Sequence, residues 1–298
     1  MFKQALERDG KLFSKHKRFR AKRPSEYWLV FLKKHVLKKH REGFSWTRLV
    51  FFIPIIVIVL LVYAIVQTEP DSPGWIFFMF FLTIFMFVVF GARLIHLQKR
   101  DYVDPNAFDH LAKFIIDVKG DALKNLIAVD LNIAGIEDKD HAMDLALLGL
   151  KEKRGLRYAA YQMERYTANI QFKDHSFCSA SLYQMALKTT ATKRRRSGKT
   201  KTKSKRKHKF YYILSLKLST VAYDLMDTTS LQDFQRPYAI SSRTENGYHI
   251  IKIKHKEKML SVTNKITAKQ KRKPAIFSEM LAFIFQKNVI VPKATQIT

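Results

Sequence analysis

The sequence predicts an α+β protein. A two-helix transmembrane hairpin is followed by a cytosolic, mostly antiparallel, β-rich domain with a long basic β-hairpin. Three observations predict this fold class. Two apolar runs without an ionisable side chain occupy residues 49–66 and 75–92. Strand-like alternation dominates residues 101–298, with amphipathic helices near either end. Lysine occupies every second position from 199 to 209, which is the period of a β-strand.

The two apolar runs predict the membrane hairpin. Each is 18 residues long, about 27 Å as a helix, which is enough to cross the hydrocarbon core of a bilayer. The connector, residues 67–74, is acidic and too short for a domain, whereas basic residues predominate outside both runs. The positive-inside rule therefore predicts an integral protein, of a bacterial inner membrane, with both termini in the cytoplasm. The resulting divisions are a basic N-terminal segment (1–48), the hairpin (49–96) and the cytosolic domain (101–298).

A basic amphipathic segment, residues 24–43, precedes the first run. Pro24 and Ser25 are typical helix-start residues and Gly43 is a typical helix stop. The alternation of apolar and lysine-rich sides predicts a helix in the lipid headgroups. The alternative is a helix packed on the cytosolic domain with its lysines in solvent. The predicted membrane-surface residues are Trp28, Lys33, Lys34, Lys38, Lys39 and Arg41.

The remaining elements follow from periodicity. Apolar positions at helical spacing predict an amphipathic helix over 106–118 and another that Pro274 begins. Alternation of apolar and polar residues predicts strands, the weakest of which is 260–266. The predicted strands are 126–131, 166–172, 248–254, 260–266 and 288–291.

The row of lysines predicts the basic hairpin. The same parity continues from the lysines into the apolar stretch that includes Tyr212 and Leu214. Ser197 and Gly198 form a plausible two-residue turn, since glycine readily adopts a positive φ. Residues 179–220 are therefore predicted to form one β-hairpin with its basic tip at 191–210. The alternative is a loose polybasic loop, because blocks of like charge are usually disordered.

The hairpin tip is the predicted binding site for a polyanion. Lysines on one face of a strand recur every 6.6 to 6.8 Å, roughly two residues of strand rise, which suits repeated phosphates. An anionic lipid surface or an acidic protein partner is favoured over nucleic acid, because no aromatic residue lies between Lys188 and Lys209 to stack on bases. The predicted binding residues are Lys193, Arg194, Arg195, Arg196, Lys199, Lys201, Lys203, Lys205, Arg206, Lys207 and Lys209.

Motifs for catalysis or cofactor binding do not occur. The sequence has no phosphate-binding glycine loop and no recognised hydrolase, zinc or EF-hand spacing. An acidic cluster could bind a metal ion, although a solvated turn is the favoured interpretation, and one cysteine could be a nucleophile rather than a core residue. We therefore expect no enzyme, no cofactor, no metal and no small-molecule substrate. The residues of these two alternatives are Glu137, Asp138, Asp140, His141 and Asp144, and Asp174, His175 and Cys178.

Three functions are consistent with these features. The first is a membrane-anchored, non-enzymatic interaction or scaffold protein whose basic hairpin binds anionic lipid or an acidic partner. The second is a membrane tether for nucleic acid through non-specific backbone contacts. The third is an oligomeric pore gated by the cytosolic domain, which the absence of charged residues in both apolar runs disfavours.

Overall fold

The fold is defined by a computed structural model of the chain. It describes the residues 2–37, 81, 84–85, 105–150, 154–194, 197–225, 238–257, 260–261 and 276–293. Within these residues, the helices precede and follow a central run of antiparallel strands.

The described helices are short. The helices with an apolar stripe are α1 (Phe2–His16), α2 (Ser25–Phe31), α3 (Pro105–Val118) and α4 (Ile276–Gln286). A π-helical segment, Leu32–Leu37, continues α2, and two 3-10 turns cover Lys139–His141 and Ala146–Leu148. The buried positions of α3 recur at three- and four-residue spacing, as in a helix with one face on a core.

The strands are longer and dominate the fold. They are β1 (Arg18–Pro24), β2 (Ala122–Asn132), β3 (Ala142–Met143), β4 (Leu156–Phe172), β5 (Phe177–Arg194), β6 (Thr200–Ser219), β7 (Tyr223–Leu225), β8 (Ala239–Glu245), β9 (Tyr248–Lys256), β10 (Leu260–Ser261) and β11 (Ile290–Pro292). The main sheet has the order β1-β2-β4-β5-β6-β9-β8, with every neighbouring pair antiparallel. The short strands β7 and β11 form a separate pair.

One face of the main sheet carries the hydrophobic core. Across three neighbouring strands, Tyr166, Leu182 and Tyr212 lie side by side and are fully or almost fully buried. Helices α2, α3 and α4 pack over this face, and the ring of Phe277 on α4 lies 5.6 Å from the ring of Tyr212. We call this helix-covered side the inner face and the opposite side the outer face. Alternation along each strand therefore decides which residues are buried and which are presented outward.

The N-terminal segment belongs to this sheet. Strand β1 pairs with β2 along its whole length, from Arg18 opposite Asn132 to Pro24 opposite Leu126. Trp28 is fully buried, and its indole N–H donates a hydrogen bond of 2.9 Å to the carbonyl oxygen of Ile127. The segment is thus packed on the β-rich part, which was the alternative to a helix in the lipid headgroups, because its aromatic side faces the core.

The predicted membrane architecture requires correction. No helix among the described residues is long and apolar enough to cross a membrane. The longest, α1, has 15 residues and spans about 22 Å, less than the hydrocarbon thickness of roughly 30 Å. The runs 49–66 and 75–92 lie outside the described residues, apart from three positions of the second. The lack of a membrane-crossing helix among the described residues contradicts the predicted transmembrane hairpin and inner-membrane location, which are corrected: the fold of these residues is mostly antiparallel β-sheet with few helices.

The periodicity-based elements agree better with the structure. The helix predicted at 106–118 is α3, and the strands predicted at 126–131, 166–172 and 248–254 lie within β2, β4 and β9. The weakest predicted strand, 260–266, retains two described residues in β10. Strand β4 extends ten residues before its predicted start, because a β-bulge between Glu164 and Tyr166 interrupts the alternation on which the prediction depends.

Candidate polyanion-binding surface

The predicted basic hairpin forms, but its register differs by one residue from the one that a two-residue turn at Ser197 and Gly198 would give, in which Arg194 would lie opposite Lys201. Strands β5 and β6 pair without interruption from Phe177 opposite Lys217 to Arg194 opposite Thr200. Gly198 has a φ of +76° at the turn, a conformation that favours glycine. The hairpin strands place alternate residues on the inner and outer faces, so the odd-numbered lysines of β6 all lie on the outer face.

A second strand extends this row of lysines. Strand β9 pairs with β6 so that Lys256 lies opposite Tyr211, Lys254 opposite Ile213 and Lys252 opposite Ser215, all on the outer face. Lysine therefore passes from β6 to β9 at the point where β6 becomes aromatic and apolar. We call the resulting row the lysine track: Lys201, Lys203, Lys205, Lys207, Lys209, Lys256, Lys254 and Lys252.

The two halves of the track meet at Lys209 and Lys256. Partial burial and the neighbouring ammonium of Lys256 lower the pKa of Lys209. Burial is the larger cause of this lowering, and the second ammonium adds the repulsion expected for like charges held close together. At two residues of strand rise per step, the track is about 45 Å long. It is a continuous line of positive charge with a built-in self-repulsion that a polyanion would relieve.

The acidic side chains of the outer face that the structure describes lie on β2, β4 and β8, and not on the two strands of the track. Asp130 on β2 accepts two hydrogen bonds from the guanidinium of Arg18, at 2.7 and 3.1 Å. Glu164 on β4 accepts a hydrogen bond from the hydroxyl of Thr167. The paired stretches of β6 and β9 that form the track contain no Asp or Glu. The positive potential along the track is therefore not cancelled by carboxylates within it.

Tyrosines lie beside the track on the same face. Tyr183 on β5 is directly opposite Tyr211 on β6, which is in turn opposite Lys256. The ammonium of Lys209 lies 5.5 Å from the centre of the Tyr211 ring, within the range of a cation–π contact. Burial and the nearby Glu164 carboxylate raise the pKa of Tyr183, so its hydroxyl stays neutral. Tyr211 continues the odd parity of the lysines two residues after Lys209, so alternation alone could have found it, whereas Tyr183 reaches the track only through the pairing of β5 with β6.

The inner face of the same hairpin holds an ion cluster. Glu137, in the segment after β2, accepts hydrogen bonds from Arg206 and, at 3.2 Å, from Lys188. The side chains of Glu137 and Arg206 are only 5% and 9% exposed. Burial by itself would raise the pKa of Glu137, but the two cations outweigh it and the pKa is lowered. This cluster fastens the middle of the hairpin to the segment that crosses it.

A row of hydrogen-bonded polar residues lies next to the ion cluster. The buried Arg165 donates to the side-chain oxygen of Gln184 and, at 2.7 Å, to the carbonyl of Ala134. The Gln184 amide then donates to Nδ1 of His208 over 2.8 Å. Burial and the charge of Arg165 lower the pKa of His208 to about 4, so this histidine is neutral at pH 7. The row is internal and supports the hairpin; it does not face a ligand.

The predicted binding residues divide into those on the outer face, those on the inner face and those outside the described residues. Lys193 lies opposite Lys201 on the outer face and Lys199 is exposed beside the turn, whereas Arg194 lies on the inner side of the tip. Arg206 is a correction: its even position places it on the inner face, where it binds Glu137. Arg195 and Arg196 lie outside the described residues.

The predicted membrane-surface residues do not form one surface. Trp28 lies in the core, as described above, while Lys34 pairs with Glu7 at 3.6 Å. Lys33 is exposed. Lys38, Lys39 and Arg41 lie outside the described residues.

The alternative chemistries gain no support from the side-chain positions. Within the described part of the chain, no group of three or more His, Cys, Asp or Glu residues is arranged to hold a metal ion. Glu137 binds cations of the hairpin instead. Cys178 is buried, and this burial raises the pKa of its thiol, which disfavours the reactive thiolate. Asp174 accepts hydrogen bonds from Ser176 and Tyr223.

Comparisons with known proteins add no relative. No family model matches the chain, and no curated protein or solved structure is similar enough to count as a match. The surface itself is therefore the basis for inferring a function.

Proposed function

We propose that this protein is a non-enzymatic binding protein that holds a polyanion on the lysine track. One observation supports this most strongly: lysines from two strands join into a single line on one face of the sheet. Scattered surface lysines would be separated by acids, whereas this line has none within its paired stretches. The spacing of about 6.6 to 6.8 Å along each strand suits a ligand with repeated negative charges.

The inner face explains how such a charged hairpin is held in place. An isolated two-stranded ribbon is marginally stable, and self-repulsion among its lysines destabilises it further. Here Glu137 binds Arg206 and Lys188 on the inner face, while the outer lysines keep their charges exposed. The cations are thus divided by strand parity: the inner ones stabilise the hairpin, and the outer ones are available to a ligand.

The lysine track selects its ligand by charge, and three kinds of partner carry the required negative charge. An anionic lipid surface, an acidic protein and a nucleic-acid backbone all carry closely spaced negative groups. The pore and the membrane tether both need spans formed by the runs 49–66 and 75–92, which lie almost wholly outside the described residues and so support neither.

Neutralising the centre of the track tests the proposal. The full-length chain with Lys205, Lys207 and Lys209 changed together to glutamine is compared with the wild type for binding to inorganic polyphosphate, polyglutamate, duplex DNA and phosphatidylserine vesicles. We expect weaker binding to whichever polyanion the wild type holds at about 0.15 M salt. For duplex DNA, the slope of log affinity against log salt should fall by about 2 to 3, since each lost phosphate contact contributes roughly 0.9.

A matched control uses three exposed lysines of α1. Changing Lys3, Lys11 and Lys15 to glutamine removes the same charge from the whole protein but leaves the track intact. This control should bind like the wild type. Equal losses in both triple variants would show that net charge alone matters, and unchanged binding in the track variant would refute the proposal.

A further inference from the structure

We infer that the polyanion is a single-stranded nucleic acid, whose phosphates lie along the lysine track and whose bases stack on the outer-face tyrosines. This inference rests on the proposed function and names its ligand. The observation behind it is that Tyr183 and Tyr211 lie beside the point where Lys209 and Lys256 join the two halves of the track. Charge alone attracts any polyanion, but aromatic rings next to the charge add a contact that only some polyanions can use.

The position of the tyrosines suits stacking. Both rings belong to central strands, which form a firm base, and both are partly exposed on the face without described helices. A third, Tyr158 on β4, lies in line with Thr189 and Lys205 on the same face. Bases that turn away from a backbone on β6 would therefore pass over β5 and β4, where these rings lie.

Polar side chains lie around the rings on the outer face, and one of them, Glu164 opposite Tyr183, carries a carboxylate. Thr189 and Ser179 of β5, with Gln162 and Asn169 of β4, all point to the outer face by strand parity. Amides and hydroxyls can donate to or accept from the edges of exposed bases. The sheet is thus cationic along one strand line and polar and aromatic beside it, which matches the two sides of an unpaired strand.

Other polyanions would leave part of this surface unused. A duplex buries its base faces in the stack and presents mainly phosphates to a flat sheet, so the tyrosines would gain little. Phosphatidylserine headgroups, polyphosphate and acidic peptides have no aromatic faces. Binding by stacking and backbone charge together is a general mode for single strands, and each stacked base adds appreciably to affinity.

An oligonucleotide without bases separates the two contributions. Fluorescence anisotropy of the full-length wild type is measured with oligothymidylate, oligouridylate and an abasic deoxyribose-phosphate strand of equal length. These carry the same charge spacing, so pure charge binding predicts equal affinity. We expect at least one base-bearing strand to bind about fivefold or more tightly than the abasic strand, as one stacked base would give. Comparing oligothymidylate with oligouridylate shows whether the preferred strand is DNA or RNA.

Tyrosine variants then locate the effect. Tyr211→Leu and Tyr183→Leu keep apolar bulk at the sheet surface but remove the aromatic face. Each should lower affinity for the base-bearing strand about fivefold or more while leaving abasic-strand binding unchanged. Tyr161→Leu is the matched control, because Tyr161 also lies in the sheet but on the inner side, opposite Ala186. Near-wild-type far-UV circular dichroism and unfolding midpoint in each variant confirm that the sheet is intact.

The outcomes separate this inference from the proposed function. Equal affinity for base-bearing and abasic strands, or wild-type binding by both tyrosine variants, would overturn the single-strand assignment while leaving a polyanion site in place. Tighter binding to phosphatidylserine vesicles or to duplex DNA than to every single strand would also overturn it. The proposed function fails by a different result: the variant with neutralised track lysines would bind every polyanion as tightly as the wild type.

Discussion

The two faces of the β5–β6 hairpin carry similar cations, but the cations of each face have a different role. On the inner face, Arg206 and Lys188 hold the buried carboxylate of Glu137. On the outer face, Lys205 and Lys207 have no carboxylate among the residues beside them on their strands. The side chains alternate in sequence, so the chemical composition of the segment cannot distinguish them. Strand parity assigns the roles: even-numbered cations of β6 stabilise the fold, and odd-numbered ones are free for binding.

This comparison predicts that substitutions separate by face. Changes on the inner face should alter the free energy of unfolding and affect binding only through folding. Changes on the outer face should alter binding and leave the free energy of unfolding nearly constant.

The largest effect is expected for the inner carboxylate. Glu137→Gln leaves the buried guanidinium of Arg206 without its countercharge, which typically costs about 3 to 5 kcal/mol. Denaturant unfolding of wild type and variant measures the loss. The control is Glu245→Gln, whose carboxylate pairs with Arg243 on the surface at 3.5 Å and is 52% exposed. That change should alter the free energy of unfolding by about 1 kcal/mol or less; equal effects at both sites would contradict the assigned role of Glu137.

Neighbouring apolar residues of β6 give the next contrast. Leu214 is fully buried on the inner face, whereas Ile213 is half-buried on the outer face. Leu214→Ala should lower the free energy of unfolding by about 2 to 5 kcal/mol. Ile213→Ala removes fewer buried contacts and should cost clearly less. A larger loss at Ile213 would mean that the outer face is covered, which is incompatible with ligand access.

Acid should weaken the inner face through His208. Its pKa is about 4 in the folded protein, against an ordinary value of 6.5, so between these values only the unfolded chain takes up the proton. The free energy of unfolding should therefore fall as the pH drops from 6.5 to about 4, by about 3 kcal/mol at most. Unfolding measured across this range should show a flatter profile for His208→Gln than for the wild type.

Glu137 adds a separate acid dependence below that window. Its pKa is lowered from 4.5, so its contribution is complete above pH 4.5 and is lost as the pH falls through the folded-state value. An identical pH profile in Glu137→Gln and wild type below pH 4.5 would show that the carboxylate is not held by the two cations.

The smallest effect on stability is expected on the outer face. Changing Lys205, Lys207 and Lys209 to glutamine should alter the free energy of unfolding by about 0.5 kcal/mol or less per site, with a slight gain where like-charge repulsion is relieved. Thermal unfolding checks this. A large loss of stability would show that these lysines, like Arg206, are structural.

The sequence predicts the hairpin well because strand alternation is a local signal. The odd spacing of lysine identifies both strands of the hairpin. The two-residue turn expected at Ser197 and Gly198 would have placed Arg194 opposite Lys201 instead of Thr200, and this slip of one residue assigns the side chains of β5 to the wrong faces. The same parity already distinguishes Arg206 from its neighbours: it shares the even face with Tyr212, and applying the alternation to every cation would have removed it from the predicted site.

Long-range pairing explains what sequence patterns missed. Lys252, Lys254 and Lys256 join the track only because β9 pairs with β6 in one register, and no local pattern specifies that register. Strand β1 shows the same limit. Its alternation of arginine with Phe19 and Ala21 is visible in the sequence, but it resembles a solvated basic segment until β2 lies beside it.

Lysine-reactivity footprinting tests the central claim most directly. The full-length protein is labelled with an amine-reactive acylating reagent, with and without the polyanion that binds most tightly, and each site is quantified by mass spectrometry. We predict that labelling falls at Lys205, Lys207, Lys254 and Lys256 and stays unchanged at Lys3 and Lys11 of α1. Uniform protection across both regions, or protection at α1 and not along the track, would contradict the account.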